Sequence, residues 1–244
     1  MYPHRIRLRG PWEYEPLEAA AGAKQPLPPA GRMSMPCRWR ESGLKGFIGR
    51  VRFRRRFGRP RQIDREERLW ITFNGMQGVA EVWLNGCSLG GKNEKEAFEF
   101  EITSLVTERN ELIVDVDTCA GDVEMWGEVA LEVRRTAFLR SLHVSAVRKG
   151  QNARVTVSGE VAGVANQPLE LYVICDRSTI AYGLVEAAEA GRTFHLTSEE
   201  LRPGQLGDLK ESASISHHVR VELVKGASVW YSVELPCALP PEVA

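Results

Sequence analysis

Two stretches of this sequence combine an aromatic ring with groups that can bond hydroxyls. Residues 117–126 carry Asp122, Glu124 and Trp126, and residues 35–41 carry Trp39 and Arg40. An indole stacks on the apolar C–H face of a pyranose, carboxylates accept hydrogen bonds from its hydroxyls, and a guanidinium donates to them. The chemistry implied is binding rather than bond breaking. Trp12, Trp39, Trp83 and Trp126 are the aromatic candidates. The alternative for each is a place in a hydrophobic core, since tryptophan is highly buried on average. Trp126 stands apart, because it shares a loop with Asp122 and Glu124 and loops carry function more often than cores.

Other chemistries lack their residues. His217 and His218 are adjacent, and neighbouring strand residues point to opposite faces, so they cannot converge on one metal ion. The 5 cysteines, Cys37, Cys87, Cys119, Cys175 and Cys237, form no Cys-x-x-Cys pair and have no base identifiable in sequence. There is no Gly-rich phosphate loop, no Gly-x-Ser-x-Gly elbow and no His-Glu-x-x-His. No cofactor and no metal are expected.

Charge excludes further partners. Lys+Arg and Asp+Glu both number 32, so the chain is formally neutral and a poor binder of polyanions. Arg50, Arg52, Arg54, Arg55, Arg56, Arg59 and Arg61 cluster, but Val51, Phe53 and Phe57 alternate with them. That pattern places Arg50, Arg52, Arg54 and Arg56 on one solvated strand face, with Asp64, Glu66 and Glu67 as the nearest neutralising acids. Nucleic acid is not an expected partner. No apolar run reaches the ~18–20 residues of a membrane helix. The N-terminus alternates rather than forming a signal-peptide core, there is no Asn-x-Ser/Thr sequon, and the cysteine count is odd. These features predict a cytoplasmic protein with free thiols.

Almost every element that must position these residues reads as a strand. Leu69-Trp-Ile-Thr-Phe73 and Val79-Ala-Glu-Val-Trp-Leu84 are clear strands, and Asn85-Gly86 is a strong hairpin signal because both residues tolerate positive φ. Residues 19–36, rich in Ala, Gly and Pro, read as a long surface loop. Thr103 reads as the N-cap of a turn over 104–107, and residues 198–201 as a short helical turn ended by Pro203. From about Phe138 the strands become short and evenly spaced, the pattern of an immunoglobulin-type β-sandwich without its Cys…Trp…Cys signature. The expected fold is all-β, with domains over 1–135 and 136–244.

One series of segments is more specific than composition. It comprises Gly49-Arg-Val-Arg-Phe-Arg-Arg-Arg-Phe57, Leu69-Trp-Ile-Thr-Phe-Asn-Gly75, and Val79-Ala-Glu-Val-Trp-Leu-Asn-Gly-Cys-Ser-Leu-Gly90. It continues with Ala97-Phe-Glu-Phe-Glu-Ile-Thr103, Asn110-Glu-Leu-Ile-Val114 and Trp126-Gly-Glu-Val-Ala-Leu131. Gly10-Pro-Trp-Glu-Tyr14 and Met35-Pro36…Trp39 precede it. Over residues 5–135 this resembles the galactose-binding-like jelly-roll domain that opens glycoside hydrolase family 2 chains, the β-galactosidases and β-glucuronidases. The following segment lies where that family has an immunoglobulin-like sandwich. The resemblance departs at residues 89–96, where a charged loop replaces the family's Leu-Gly-x-His-x-Gly.

The family's catalysis resembles the two-carboxylate scheme set in a (β/α)₈ barrel. Here about 110 strand-like residues follow the first domain, with no strand–helix alternation to build one. The resemblance therefore implies a non-catalytic carbohydrate-binding or accessory protein with no catalytic residues of its own. Two alternatives stay open: a subunit or fragment whose barrel lies on a partner chain, and a structural adaptor that has lost its sugar site. In the β-galactosidase branch the loop matching 117–126 carries an acid reaching the barrel's pocket, and Asp122 or Glu124 is its counterpart. On that basis Trp126, Asp122, Glu124, Trp39 and Arg40 are expected near one end of the jelly roll as the carbohydrate site.

Overall fold

The alternation read from the sequence becomes strand pairing almost throughout. The computed structural model describes residues 3–22, 25–37, 42–60, 62–75, 79–92, 97–117, 127–149, 152–175, 177–186, 191–202 and 216–238. Among the described residues there are strands, turns and bends but no α-helix. The chain divides into two compact units, Arg5–Val133 and Arg134–Ala244, the latter with Met1–His4.

In the first unit the strands are β1 (His4–Arg7), β2 (Trp12–Ala19), β3 (Gly31–Met33), β4 (Gly49–Gly58), β5 (Glu67–Phe73), β6 (Val79–Leu84), β7 (Cys87–Lys92), β8 (Phe98–Glu101), β9 (Arg109–Asp117) and β10 (Val129–Arg135). They form a six-stranded sheet, β3-β2-β4-β9-β6-β7, and a four-stranded sheet, β1-β10-β5-β8. Alternate side chains supply the core: Val51 and Phe53 from β4, Val82 and Leu84 from β6, Leu112, Val114 and Val116 from β9, and Leu69, Ile71 and Phe73 from β5 are all essentially inaccessible. Phe73 stacks on Phe98 with ring centroids 4.7 Å apart. The Asn85-Gly86 turn is present, with φ of 52° and 81°. The Asn85 side chain anchors it by donating to Leu105 O and Asn110 Oδ1 and accepting from the Glu111 amide, each at 2.9 Å.

The second unit contains β11 (Ala137–Lys149), β12 (Asn152–Gly163), β13 (Leu169–Cys175), β14 (Ser178–Val185), β15 (Arg192–Thr197), β16 (Ser216–Lys225) and β17 (Ser228–Ala238). Two antiparallel sheets result, β11-β12-β15 and β14-β13-β16-β17. Their core comes from Val155 and Val157 on β12, Leu169, Leu171 and Val173 on β13, and Val219, Val221 and Leu223 on β16. Phe138 of β11 meets Tyr231 of β17 at 6.1 Å between ring centroids.

Three local expectations are corrected. The loop read over 19–36 contains β3, which pairs Gly31 with Tyr14 and Met33 with Trp12. Residues 198–201 form no helical turn. Ser198 N donates to Val155 O and its hydroxyl accepts from Val155 N, while Leu201 and Ala153 exchange both amide hydrogen bonds. The free flank of β12 offers this segment long-range partners, which displace the local helical bonds. Finally, the Thr103 hydroxyl accepts from the Leu69 amide at 2.9 Å, so it closes the start of the β5–β8 pairing.

Four described cysteines are thiols outside any disulfide: Cys87 is exposed, Cys37 half-buried, and Cys175 and Cys237 buried. Burial pushes the Cys237 thiol up, away from the reactive thiolate. A native-state titration with a thiol-specific disulfide reagent is therefore expected to lose one fast-reacting group in a Cys87→Ser variant. Cys175 and Cys237 are expected to react only on unfolding. Fast native labelling of either buried thiol would contradict the packing described.

Candidate functional site

β9 sits between β4 and β6, so its last residue marks one end of the six-stranded sheet. There Asp117 pairs with Arg50 on one side and Val79 on the other. Glu18, Ala19, Ala20, Ala21, Gly49, Arg50 and Asp117 line an open cleft of about 400 Å³ at this end. Gly49 is required for its shape. Its φ is 151°, and a Cβ there would run into Glu18 O and the Ala19 Cα, so only glycine lets β2 and β4 approach so closely.

A charged network fixes the side of the cleft. The Asp115 side chain is 1% exposed and accepts from Arg52 Nε at 2.8 Å and Arg52 Nη2 at 2.9 Å, a bidentate fork. Arg50 Nη2 donates to the same carboxylate at 3.1 Å and to Glu81 Oε2 at 2.8 Å. The hydrogen bond to Asp115 holds the Arg52 guanidinium above its ordinary value, outweighing the desolvation that opposes it. Further along β4, Arg54 and Arg56 both approach Glu111, at 3.5 and 3.3 Å.

The arginine run is thus a paired, outward face, as its alternation implied. Its partners Asp115, Glu111 and Glu81 come from β9 and β6. The sequence reading looked instead to Asp64, Glu66 and Glu67, the acids nearest in the chain. One signal was available: Asp115 interrupts the apolar run of residues 112–116 at the same parity as the outward positions of its strand.

Chemically, the cleft offers two carboxylates, one tethered guanidinium and a floor of alanines and glycine. That set can accept from and donate to the hydroxyls of a small polar ligand. Among the described residues, no group of three or more His, Cys, Asp or Glu side chains could hold a metal ion. No described helix is long and apolar enough to cross a membrane.

Trp39, Arg40, Asp122, Glu124 and Trp126, the carbohydrate-binding candidates, all lie outside the described residues. Their flanks are described. Residues 118–126 spring directly from Asp117, at the rim of the cleft. Their far end is tied down where Gly127 N donates to Gly75 O and Asn74 N to Glu128 O. The second loop starts elsewhere. Met33 pairs with Trp12, and Met35 N bonds to Arg9 O. Those positions are level with Arg55 and Leu112, about 17 Å along the sheet from Asp117 at ~3.3 Å per residue. Among the described residues the chain is back at the Asp117 end at Ile48 and Gly49, where Ile48 O accepts from Ala20 N and Gly49 pairs with Ala19. Of these flanking residues Asp117 lines the cleft, whereas Gly127, Met33 and Met35 do not. Of the other tryptophans, Trp12 is core, with its Nε1 donating to Leu8 O at 2.7 Å. Trp83 is half-buried on β6, opposite Ile113. Sequence reasoning missed Glu18, Gly49 and Arg50 as cleft residues, because only strand pairing brings them beside Asp117.

No family model matches the sequence, and no curated protein matches it. Solved structures do. A Bifidobacterium dentium β-glucuronidase complexed with coumarin-3-O-glucuronide superposes with a TM-score of 0.71 at 18% identity, over 98% of this chain and 49% of that one. A calcium-binding mutant of Bacteroides uniformis β-glucuronidase 2 gives 0.73 at 17% identity, over 96% and 32%. A glycosyl hydrolase family 2 member from Bacteroides cellulosilyticus gives 0.69 at 18%, over 96% and 36%. The chain spans less than half the length of each of these enzymes, so it has, across nearly its whole length, the fold of one part of glycoside hydrolase family 2 chains.

Proposed function

We propose that this chain is the non-catalytic, carbohydrate-binding part of a glycoside-hydrolase-type protein, acting in the cytoplasm. The observation that supports this most is the match to family 2 enzymes over nearly all of this chain and under half of theirs. In this reading residues 1–135 are a jelly-roll domain and 136–244 an immunoglobulin-like domain. The pairing of a three-stranded with a four-stranded sheet in the second unit fits the latter, because β11-β12-β15 and β14-β13-β16-β17 follow the immunoglobulin A-B-E and C-F-G order, with the remaining edge strand, β14, beside β13 instead of beside β15. Trp126 stacks on the sugar ring, and Asp122 and Glu124 accept from its hydroxyls. Arg50 and Asp117 at the adjoining cleft extend the polar contacts. Trp39 supplies a second stacking ring and Arg40 a donor to the hydroxyls. The general acid and nucleophile come from a barrel, on a partner chain or elsewhere in the polypeptide.

Two measurements test this. The purified chain is expected to show no turnover on a panel of nitrophenyl glycosides. Turnover lost on mutating one of its own carboxylates would overturn the non-catalytic reading. In an amide NMR titration with galactose, glucose and glucuronic acid, shifts are expected around Asp117, Arg50 and residues 118–126, at about millimolar affinity. Trp126→Ala is expected to abolish them. Shifts clustering on residues 92–96, or none with any sugar, would defeat the assignment and favour a structural adaptor.

A further inference from the structure

We propose that the second unit carries its own binding platform for neutral pyranosides, on the outward face of the β14-β13-β16-β17 sheet and centred on Tyr172, Tyr182 and Glu170. The inward side chains of β13 and β16 are aliphatic apart from Cys175, with Tyr231 of β17 beside Leu223, and the register fixes what stands on the outer face. Tyr182 pairs across to Tyr172, and Tyr172 to Glu222; Leu184 pairs to Glu170, and Ile174 to Arg220. The two phenol rings lie 5.2 Å apart between centroids with planes inclined at 60°. Both hydroxyls converge on one carboxylate: Tyr172 donates to Glu170 Oε2 at 2.8 Å and Tyr182 to Oε1 at 3.4 Å. Arg220 Nε stands 3.0 Å from Glu222 Oε1 beside them.

The arrangement has the components of saccharide recognition and differs from a plain cross-strand pair in its exposure. Tyr182 is 48% exposed and Leu184 is 62% exposed, on an edge strand whose residues 178–185 contain no charge. The shared carboxylate fixes both ring tips, so little ring mobility remains to be lost on binding. A pyranose C–H face then covers the exposed ring. Glu170 and Glu222 accept from its hydroxyls, and Arg220 donates. The hydrogen bond to Glu170 pushes the Tyr172 phenol up, and desolvation followed by Glu170 does the same for Tyr182, so both remain protonated donors well into alkaline solution. Two carboxylates against one guanidinium select neutral sugars over uronic acids. This reading stands apart from the loop site proposed above, because it uses no residue of the first unit.

The test uses the full chain with isotope-labelled tyrosine. Cellobiose and lactose are titrated to tens of millimolar, the range of weak single-sugar sites, while the Tyr172 and Tyr182 ring signals are followed. Both are expected to move and saturate, and glucuronic acid is expected to bind about tenfold more weakly. Tyr182→Ala, a surface change, is expected to abolish the response, and Glu170→Gln to weaken it severalfold. Trp126→Ala is expected to leave it intact, which separates this site from the loop site. Ring signals that stay unmoved, or that still move in Tyr182→Ala, would overturn the proposal. So would ring signals that shift with protein concentration alone, since the platform's occupant would then be a second copy of the chain.

Discussion

Gly127→Ala is expected to destabilise the first unit by about 3 kcal/mol, at the upper end of ordinary single substitutions. A Cβ at this position would fall inside the Asn74 carbonyl group, which is backbone and cannot swing aside. The same residue donates its amide to Gly75 O at 3.1 Å, and the neighbouring Asn74–Glu128 bond is 3.0 Å long. Any relaxation must therefore break the clasp that ends residues 118–126, so sugar-induced shifts around Asp117 are expected to weaken along with stability. Gly75→Ala separates sterics from backbone conformation. Gly75 has φ of 77° but open space where its Cβ would be, so it is expected to cost only about 1 kcal/mol. Denaturant unfolding followed through the first unit's tryptophans checks both. Equal losses for the two variants would show that the close approach of Gly127 to Asn74 is not what requires glycine.

Asp115→Leu is expected to cost the first unit about 2–3 kcal/mol. The carboxylate is almost fully enclosed and receives three guanidinium hydrogen bonds, so its loss strands Arg50 and Arg52 on the sheet face. Removing one member of a fully buried pair costs 3–5 kcal/mol. The value here is lower because the Arg50 and Arg52 side chains remain 39% and 35% exposed and can be rehydrated. Arg52→Met in the Asp115→Leu background is expected to recover part of the loss, since it removes the unpaired cation. Strictly additive losses in this double-mutant cycle would contradict the fork. The pairing is expected to persist through neutral and alkaline solution, because Arg52 is held above its ordinary value and sheds its charge only at extreme pH.

The two variants probe the same end of the sheet by different routes, one through backbone contact and one through charge. If the candidate cleft binds sugars, Asp115→Leu is also expected to reduce affinity through Arg50. That guanidinium bridges Asp115 and Glu81 and loses half of its tether.

What the sequence determined by itself is local and periodic. The alternation in residues 49–57 put Val51 and Phe53 in the core and the arginines outside, because a strand allows no other assignment of neighbouring side chains. Asn85-Gly86 made its turn because those two residues take positive φ at little cost. The family resemblance worked for the same reason, resting on such segments in their order. What only the tertiary structure decided is long-range. β3 formed inside an apparent loop because β2 offered a free edge. Residues 198–201 paired with β12 rather than turning into a helix. The arginines found Asp115, 63 and 65 residues away, rather than the acids just downstream. Glu18, Gly49, Arg50 and Asp117 became neighbours only because β9 is central and β2 lies beyond β4. Tyr172 and Tyr182 met through register across a turn. Local propensity is written in neighbouring residues, whereas strand order and register come from minimising exposed apolar surface over the whole sandwich, a quantity no short window of sequence contains.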